Sequence, residues 1–420
     1  MYKALRGMKD ILPDSSVAWR QLEANAIGIF HKFGYREIKT PVLEEKGLFV
    51  KSVGGETDIV TKEMFSFTDR GERDVVLRPE GTAPIVRAYL EANLHKTQPF
   101  QKLYYIEPMF RAERPQAGRM RQFHQIGAEA IGSLSPAIDA ETMLLMASIL
   151  DKNGIKGYTI RLNNLGCHKD KVKLSDALKR DLSDKKTMLC DDCKKRLEKN
   201  PLRVLDCKKD SCRTVARGAL KSADFLCSDC KNHFAAVKDL LKGTSIEKKC
   251  VEDHYIVRGL DYYTSTVFEV SHPALGSQDA LGAGGRYDDL IKDMGGPAMG
   301  AVGFALGMER MLMARAKDME PPKARPALYV ATIGEKAAKE GFKITNELRL
   351  SGVECNMSYE SASLKSQMRD ADSLGAAFTL IIGDDEIAKG EAILRDMKTK
   401  EQSSIKFSDV VNAINNKLTT

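Results

Sequence analysis

No apolar run in the 420-residue chain approaches the roughly 20 residues that a membrane span requires. The opening residues, MYKALRGMKD, hold no apolar segment of the secretory kind. These two absences exclude a membrane partner and lead to the expectation of a cytoplasmic protein. Nine cysteines without an export signal argue against a disulfide framework. Excess charge of one sign is also missing from most of the chain. The segment 168–250 carries +9, from 22 Lys and Arg against 13 Asp and Glu, so that the rest sums to −2 within an overall +7. A basic module on a near-neutral body suggests a polyanionic partner, usually nucleic acid, although charge alone fits a lysine-rich solvated surface nearly as well. Beyond residue 321 there is neither GxGxxG nor a P-loop, which removes a nucleotide cofactor from that part.

What is present begins with size. At 43% apolar and 29% charged the composition is that of an ordinary soluble globular protein, and 420 residues exceed one compact core, so two or three domains are expected. The most informative stretch runs from Tyr104 to Gly132 and reads as strand, arginine-rich loop, strand. In the second strand the period of two puts Phe123, Gln125 and Glu129 on one face and Ile126, Ala128 and Ala130 on the other. A polar row of this kind suits a cavity better than a core. Between the strands stand Arg111, Arg114, Arg119 and Arg121, with Glu113 and Gln116 interleaved, on a loop made by Pro115 and Gly118. Guanidinium forks match phosphate oxygens two at a time; an isolated loop of this composition would sooner be a solvated hairpin, a reading that the polar row on the following strand weakens.

Taken in order, the chain opens with an amphipathic helix over about 15–33, then YREIKTPVLE, a strand interrupted by Pro41 and therefore expected at an edge or a subunit contact. A hairpin over 65–78 delivers PEGTA, where Glu80, Gly81 and Thr82 precede a helix; a carboxylate there is often only a cap. Ser135 and Pro136 start another helix, and YTIRLNNLG is a strand. The basic segment that follows is helical by pattern and reads as an insertion. It holds Cys190-x2-Cys193, Cys207-x4-Cys212 and Cys227-x2-Cys230. Its two CxxC pairs, 33 residues apart, could together supply four thiolates to one structural zinc; reduced, unligated thiols are the alternative. Next come RGLDYYT with Arg258, Tyr262 and Tyr263, a glycine-rich turn LGAGGRYDD, and AVGFALGMERMLM, strand into helix with Arg310 at the junction. After the linker AKDMEPPKARP, strands and helices alternate at βαβ spacing, a small α/β module with a mainly parallel sheet.

FRAERPQAGRMRQFHQIGAE resembles motif 2 of class II aminoacyl-tRNA synthetases, and of histidyl-tRNA synthetases in particular. RGLDYYT resembles a signature of that family, PEGTA its histidine-binding turn, and the 303–310 region motif 3. The resemblance implies an α+β fold: a class II antiparallel-sheet catalytic domain over 1–320, interrupted by a mostly helical insertion over 168–250, and an α/β anticodon-binding domain over 326–420. It implies a homodimer, with YREIKTPVLE as motif 1, and an insertion that touches the tRNA acceptor region. ATP with Mg2+, L-histidine and tRNA(His) would be the reactants. Arg258 and Arg111 would be catalytic; Glu80, Gly81, Thr82, Arg111, Gln125, Glu129, Arg258, Tyr262 and Tyr263 would bind histidine. Arg111, Glu113, Arg119, Phe123 and Arg310 would bind ATP, and Arg114 with Gln116 the tRNA end. The same resemblance extends to a synthetase-like regulatory subunit of histidine biosynthesis, which keeps the fold without its chemistry. Such paralogues lose the RGLDYYT arginine, the complete motif 2 loop or the last domain, all of which this chain retains.

Overall fold

A computed structural model describes residues 2–55, 57–116, 118–207, 209–218, 220–276, 279–315 and 326–419. The chain divides into two compact units after residue 321. All of the expected linker but its last residue lies outside the described residues. Among the described residues no helix is long and apolar enough to cross a membrane.

Among the described residues the first unit is built on eleven strands: β1 Arg36–Glu37, β2 Leu43–Glu45, β3 Phe65–Thr68, β4 Asp74–Leu77, β5 Gln101–Phe110, β6 Gln122–Ile131, β7 Thr159–Asn164, β8 Cys250–Glu252, β9 Thr264–Ser271, β10 Ala280–Arg286 and β11 Ala301–Gly307. Eight of them form one sheet in the order β1-β5-β6-β11-β10-β9-β7-β8, antiparallel except at its two ends. Pro41 splits YREIKTPVLE into β1 and β2, which belong to different sheets, each at an edge.

The two faces of the large sheet have different fates, as the period-two pattern requires. Ile126, Ala128 and Ala130 of β6, with Phe268 and Val270 of β9, pack under the helices Pro13–Lys32 and Pro136–Lys152. Ser135 caps the second of these through its side chain and Pro136 occupies the first turn, where a missing N–H costs nothing. The opposite face carries Leu103, Tyr105 and Met109 of β5 against the helix Thr82–Glu91 and the insertion.

LGAGGR is not a turn but part of the central strand β10, between β9 and β11. Its glycines do not break the strand; they admit the neighbours, since a Cβ at Gly282 or Gly284 would overlap the carbonyls of Ala305 and Gly303. Arg286, at its end, is turned inward: its guanidinium meets the Asp139 carboxylate at 2.7 Å and the Asp288 carboxylate at 2.9 Å.

The basic segment folds into the helices His168–Ser183, Asp191–Lys199, Asp210–Arg217 and Ser228–Leu241. Its CxxC pairs do not converge. Cys190 and Cys193 lie with Cys207 and Cys212, while Cys227 and Cys230 lie with Cys167 and Asp170. A single knuckle from the two CxxC pairs is therefore excluded, because each pair opens a different helix.

In the second unit, β12 Leu328–Thr332, β13 Cys355–Met357, β14 Phe378–Ile382, β15 Glu391–Asp396 and β16 Gln402–Lys406 form a sheet in the order β13-β12-β14-β15-β16. The first three strands are parallel and the last two pair antiparallel, so the sheet is mixed rather than mainly parallel. β15 and β16 return directly as a hairpin, with no helix between them to reverse the chain.

Candidate active site

A cavity of about 310 Å³ opens on the face of the large sheet that β5, β6, β9, β10 and β11 share. Arg111, Arg258 and Glu129, far apart in sequence, all line it. So do Glu80, Gly81 and Thr82 at the start of one helix, Glu113, Arg119, Phe123 and Gln125 around the arginine loop, Tyr262 and Tyr263 before β9, and Arg310. Arg114 and Gln116 do not reach this cavity. They line an adjoining depression with Arg6 and Glu63, which shares Glu113 and Arg119 with the main cleft.

One end of the cleft is acidic and phenolic. Glu129 is 1% exposed and accepts the Thr82 hydroxyl at 2.8 Å and the Tyr287 phenol at 2.6 Å. Burial pushes its carboxyl up to about 8, against the two hydrogen bonds, and the charge of Glu80 adds to the rise. Gly303 faces it across the β6–β11 pair, where a Cβ would overlap the carboxylate. Glu80 does cap its helix: its two oxygens accept the backbone N–H groups of Thr82 and Ala83 at 2.8 and 2.9 Å. It is nonetheless part of the cleft, for the Tyr262 phenol donates to it at 3.3 Å. Burial raises the Glu80 carboxyl, while those backbone donors and the Arg111 charge restrain the rise. The rings of Tyr262 and Tyr263 stand 4.8 Å apart, and burial pushes the Tyr263 phenol up to about 12.

The other end is cationic. The Arg111 guanidinium lies 5.2 Å from the Phe123 ring centroid and donates to the Pro79 carbonyl at 3.0 Å. Arg119 pairs with Glu113. Arg310 donates to the Gly118 carbonyl at 2.8 Å; burial, then the charges of Arg119 and Arg111, press its pKa down. Such crowding of like charges favours an anionic ligand. Arg258 pairs with Glu269 at 2.5 Å, yet its Nε is buried without a partner, as is Gln125 Oε1. Buried polar atoms of this kind are rare unless a ligand meets them.

The insertion holds the loop that carries Arg258. Lys171 Nζ donates to the carbonyls of Asp261 and Tyr263 at 2.9 and 2.8 Å, Asn200 to the Asp261 carboxylate, and Arg203 to the Gly259 carbonyl. A role confined to tRNA contact is thus too narrow for this segment.

Tyr105, Glu269 and Tyr287 line the cleft without having been expected there. Tyr105 could have been found by register: Leu103 opposes Glu129 and Tyr105 opposes Gly127, so both strands show these residues to one face. The Tyr105 ring fills the space that side chains at Gly81 and Gly127 would need. Tyr287, 158 residues from Glu129, left no local signal.

An antiparallel sheet bearing a cleft with guanidiniums at one end and buried carboxyls at the other, fed by the arginine loop between β5 and β6, is the architecture of a class II aminoacyl-tRNA synthetase. The family model for histidyl-tRNA synthetase matches residues 7–311, and that for an anticodon binding domain matches 327–417. The chain belongs to the histidyl-tRNA synthetase family. It is 45% identical to a histidine–tRNA ligase of Thermodesulfovibrio yellowstonii, over 100% of this chain and 99% of that one. It resembles the apo histidyl-tRNA synthetase of S. aureus with a TM-score of 0.81 and 34% identity, covering 99% of this chain and 100% of the other. A protein of Bacillus halodurans described as an ATP phosphoribosyltransferase regulatory subunit/histidyl-tRNA synthetase shares the fold, at TM-score 0.66 and 20% identity, over 91% and 97% of the two chains.

Proposed function

We propose that the cleft joins L-histidine to ATP, giving histidyl-adenylate and diphosphate, and then passes the histidyl group to tRNA(His) with release of AMP. The chain is a histidine–tRNA ligase. The observation that carries this reading is the meeting, in one cavity, of four arginines with the buried Glu129, Thr82 and Tyr287 cluster.

In the first step a histidine carboxylate oxygen attacks the α-phosphorus and the bond to diphosphate breaks. The nucleophile belongs to the substrate, so the protein has only to align the two anions and spread the charge that develops. Arg111 and Arg258 serve the α-phosphate, and Arg111 also the histidine carboxylate. Arg119 and Arg310 hold the outer phosphates, Glu113 the adenine edge and Phe123 its face. Glu80 takes the α-ammonium, beside Gly81 and Thr82; its Oε1 accepts only the Ala83 N–H and keeps a further lone pair, whereas Oε2 already accepts both the Thr82 N–H and the Tyr262 phenol. Glu129, Tyr262, Tyr263 and Gln125 select the imidazole. A pocket that hydrogen-bonds a ring N–H rejects analogues lacking it by roughly 10⁴ to 10⁵, so no editing site is required.

Mg2+ fits this donor set as a companion of ATP. Glu269 and Glu309 offer the oxygens it accepts, though Arg258 and His124 engage them in the free protein. When bound, the ion would offset part of the phosphates' negative charge.

In the second step a ribose hydroxyl at the tRNA end attacks the histidyl carbonyl and AMP leaves. Arg114 and Gln116, in the adjoining depression, steady that end, and the second unit binds the anticodon. The insertion, 168–250 within a catalytic domain 1–320, adds its positive charge to the tRNA contact. Exposed Val42 and Leu43 beside the β2 edge suit a homodimer contact, and cytoplasmic tRNA is the substrate. A regulatory subunit without chemistry is disfavoured by the retained Arg258 and the complete arginine loop. The test is ATP–diphosphate exchange with each of the twenty amino acids: histidine alone should support it, and exchange driven by another, or by none, would overturn the assignment.

A further inference from the structure

We propose that the insertion and the residues flanking it hold two structural zinc ions, one on Cys190, Cys193, Cys207 and Cys212, the other on Cys167, Asp170, Cys227 and Cys230. Within each group one ligand atom per residue lies within 4.8 Å of every other. Four thiolates around a single zinc at about 2.3 Å stand about 3.8 Å apart, so the groups are already near the size of one tetrahedral ion. Cys190 Sγ and Cys207 Sγ are 4.0 Å apart, too far for a disulfide at about 2.05 Å. All nine cysteines are free.

Local structure repeats around the two groups in a way that packing alone does not require. Cys167, Cys190 and Cys227 each occupy the N-cap of a helix, and Asp170, Cys193 and Cys230 stand three residues on, in the first turn. That spacing aims two ligands past the helix N-terminus from one side, where exposed N–H groups and the positive end of the dipole favour anions. Backbone donors already face the ligand atoms: Cys190 N–H points at Cys212 Sγ at 3.2 Å, Cys167 N–H at Cys230 Sγ at 3.2 Å, and Cys227 N–H at Asp170 Oδ2 at 3.0 Å.

The second group shows an independent mark of a missing ligand. Asp170 is 1% exposed, and its other oxygen, Oδ1, is buried with no hydrogen-bond partner. A carboxylate oxygen left so in a thiol cluster is costly unless it meets a cation. Three sulfurs and one oxygen, like four sulfurs, suit zinc, and the closeness of the atoms favours a mononuclear ion over an iron–sulfur cluster.

The ions would sit directly behind the clamp on the cleft. Lys171 follows Asp170, and Asn200 and Arg203 lie between Cys193 and Cys207. Zinc at both sites therefore fixes the contacts that hold the 258–263 loop. The metal claim itself is independent of the reaction assigned to the cleft.

The experiment is atomic-emission analysis of the full-length protein, purified without metal-affinity resin or chelator from zinc-supplemented medium. Two zinc per chain are expected. The double variants Cys193→Ser/Cys212→Ser and Cys227→Ser/Cys230→Ser should each retain one. Exchange with Co2+ should give intense tetrahedral absorption from both sites, with only one contribution left in each variant. One zinc or none per wild-type chain, iron in place of zinc, or two zinc that survive both substitutions would overturn the proposal. The wild-type count needs no variant to fold.

Discussion

Replacing Glu129 by glutamine should expose the energetic cost of the buried carboxyl. In the free protein burial raises this group from its ordinary 4.5 to about 8. The unfolded chain loses the proton near 4.5, so between those values the folded state binds a proton that the unfolded state does not. The stability this group contributes is complete below pH 4.5 and is lost as pH rises through about 8. At 1.36 kcal/mol per pH unit the loss between pH 5.5 and 8.5 comes to about 3 kcal/mol. Glutamine keeps the shape and can still accept the Thr82 hydroxyl at one atom, but does not titrate. Denaturant unfolding of wild type and Glu129→Gln at pH 5.5, 7 and 8.5, read on the transition of the first unit, should diverge by that amount, with the wild type falling faster. Histidine supplies the second readout. Its ring N–H calls for an acceptor, so binding at pH 7 should drive the proton off Glu129. Calorimetry in buffers of different ionisation enthalpy should then find about one proton released, and none for the variant. Parallel unfolding profiles together with equal proton release would refute the reasoning.

Arg258→Ala should lower ATP–diphosphate exchange by roughly 10² to 10³, the usual cost of a lost donor to a developing charge, with the far-ultraviolet circular dichroism unchanged; exchange at the wild-type rate would remove it from the reaction. Arg114→Ala/Gln116→Ala should leave exchange intact and slow single-turnover transfer to tRNA, because both residues lie outside the main cleft; equal losses in both steps would place them with ATP instead. Lys171→Met should strand the carbonyls of Asp261 and Tyr263 and raise the histidine KM by about tenfold, from about 1.4 kcal/mol of lost positioning. An unchanged KM would mean that the insertion does not support the cleft.

Much of the site was legible because its parts are local. The alternation in QFHQIGAEA put Phe123, Gln125 and Glu129 on one face, and the structure has all three on the cleft. PEGTA and RGLDYYT are short stretches whose cleft-lining residues stand within a few positions of each other. Misreading came where context overrode composition. LGAGGR looks like a turn, yet it is a strand, because its glycines answer crowding by β9 and β11 rather than a change of direction. The cysteine pairs looked like partners through spacing alone, but helix placement sent them to different groups.

By itself the sequence determined which residues could share a strand face, a turn or a helix start, since those relations are set by the backbone period within about ten residues. Tertiary structure alone decided that Tyr287 donates to Glu129 across 158 residues, that Tyr105 fills the space over Gly81 and Gly127, and that Lys171 of the insertion holds the loop that follows Arg258. Those contacts depend on how sheet and helices pack against each other. No local periodicity encodes the distance between two elements that meet only when the core closes.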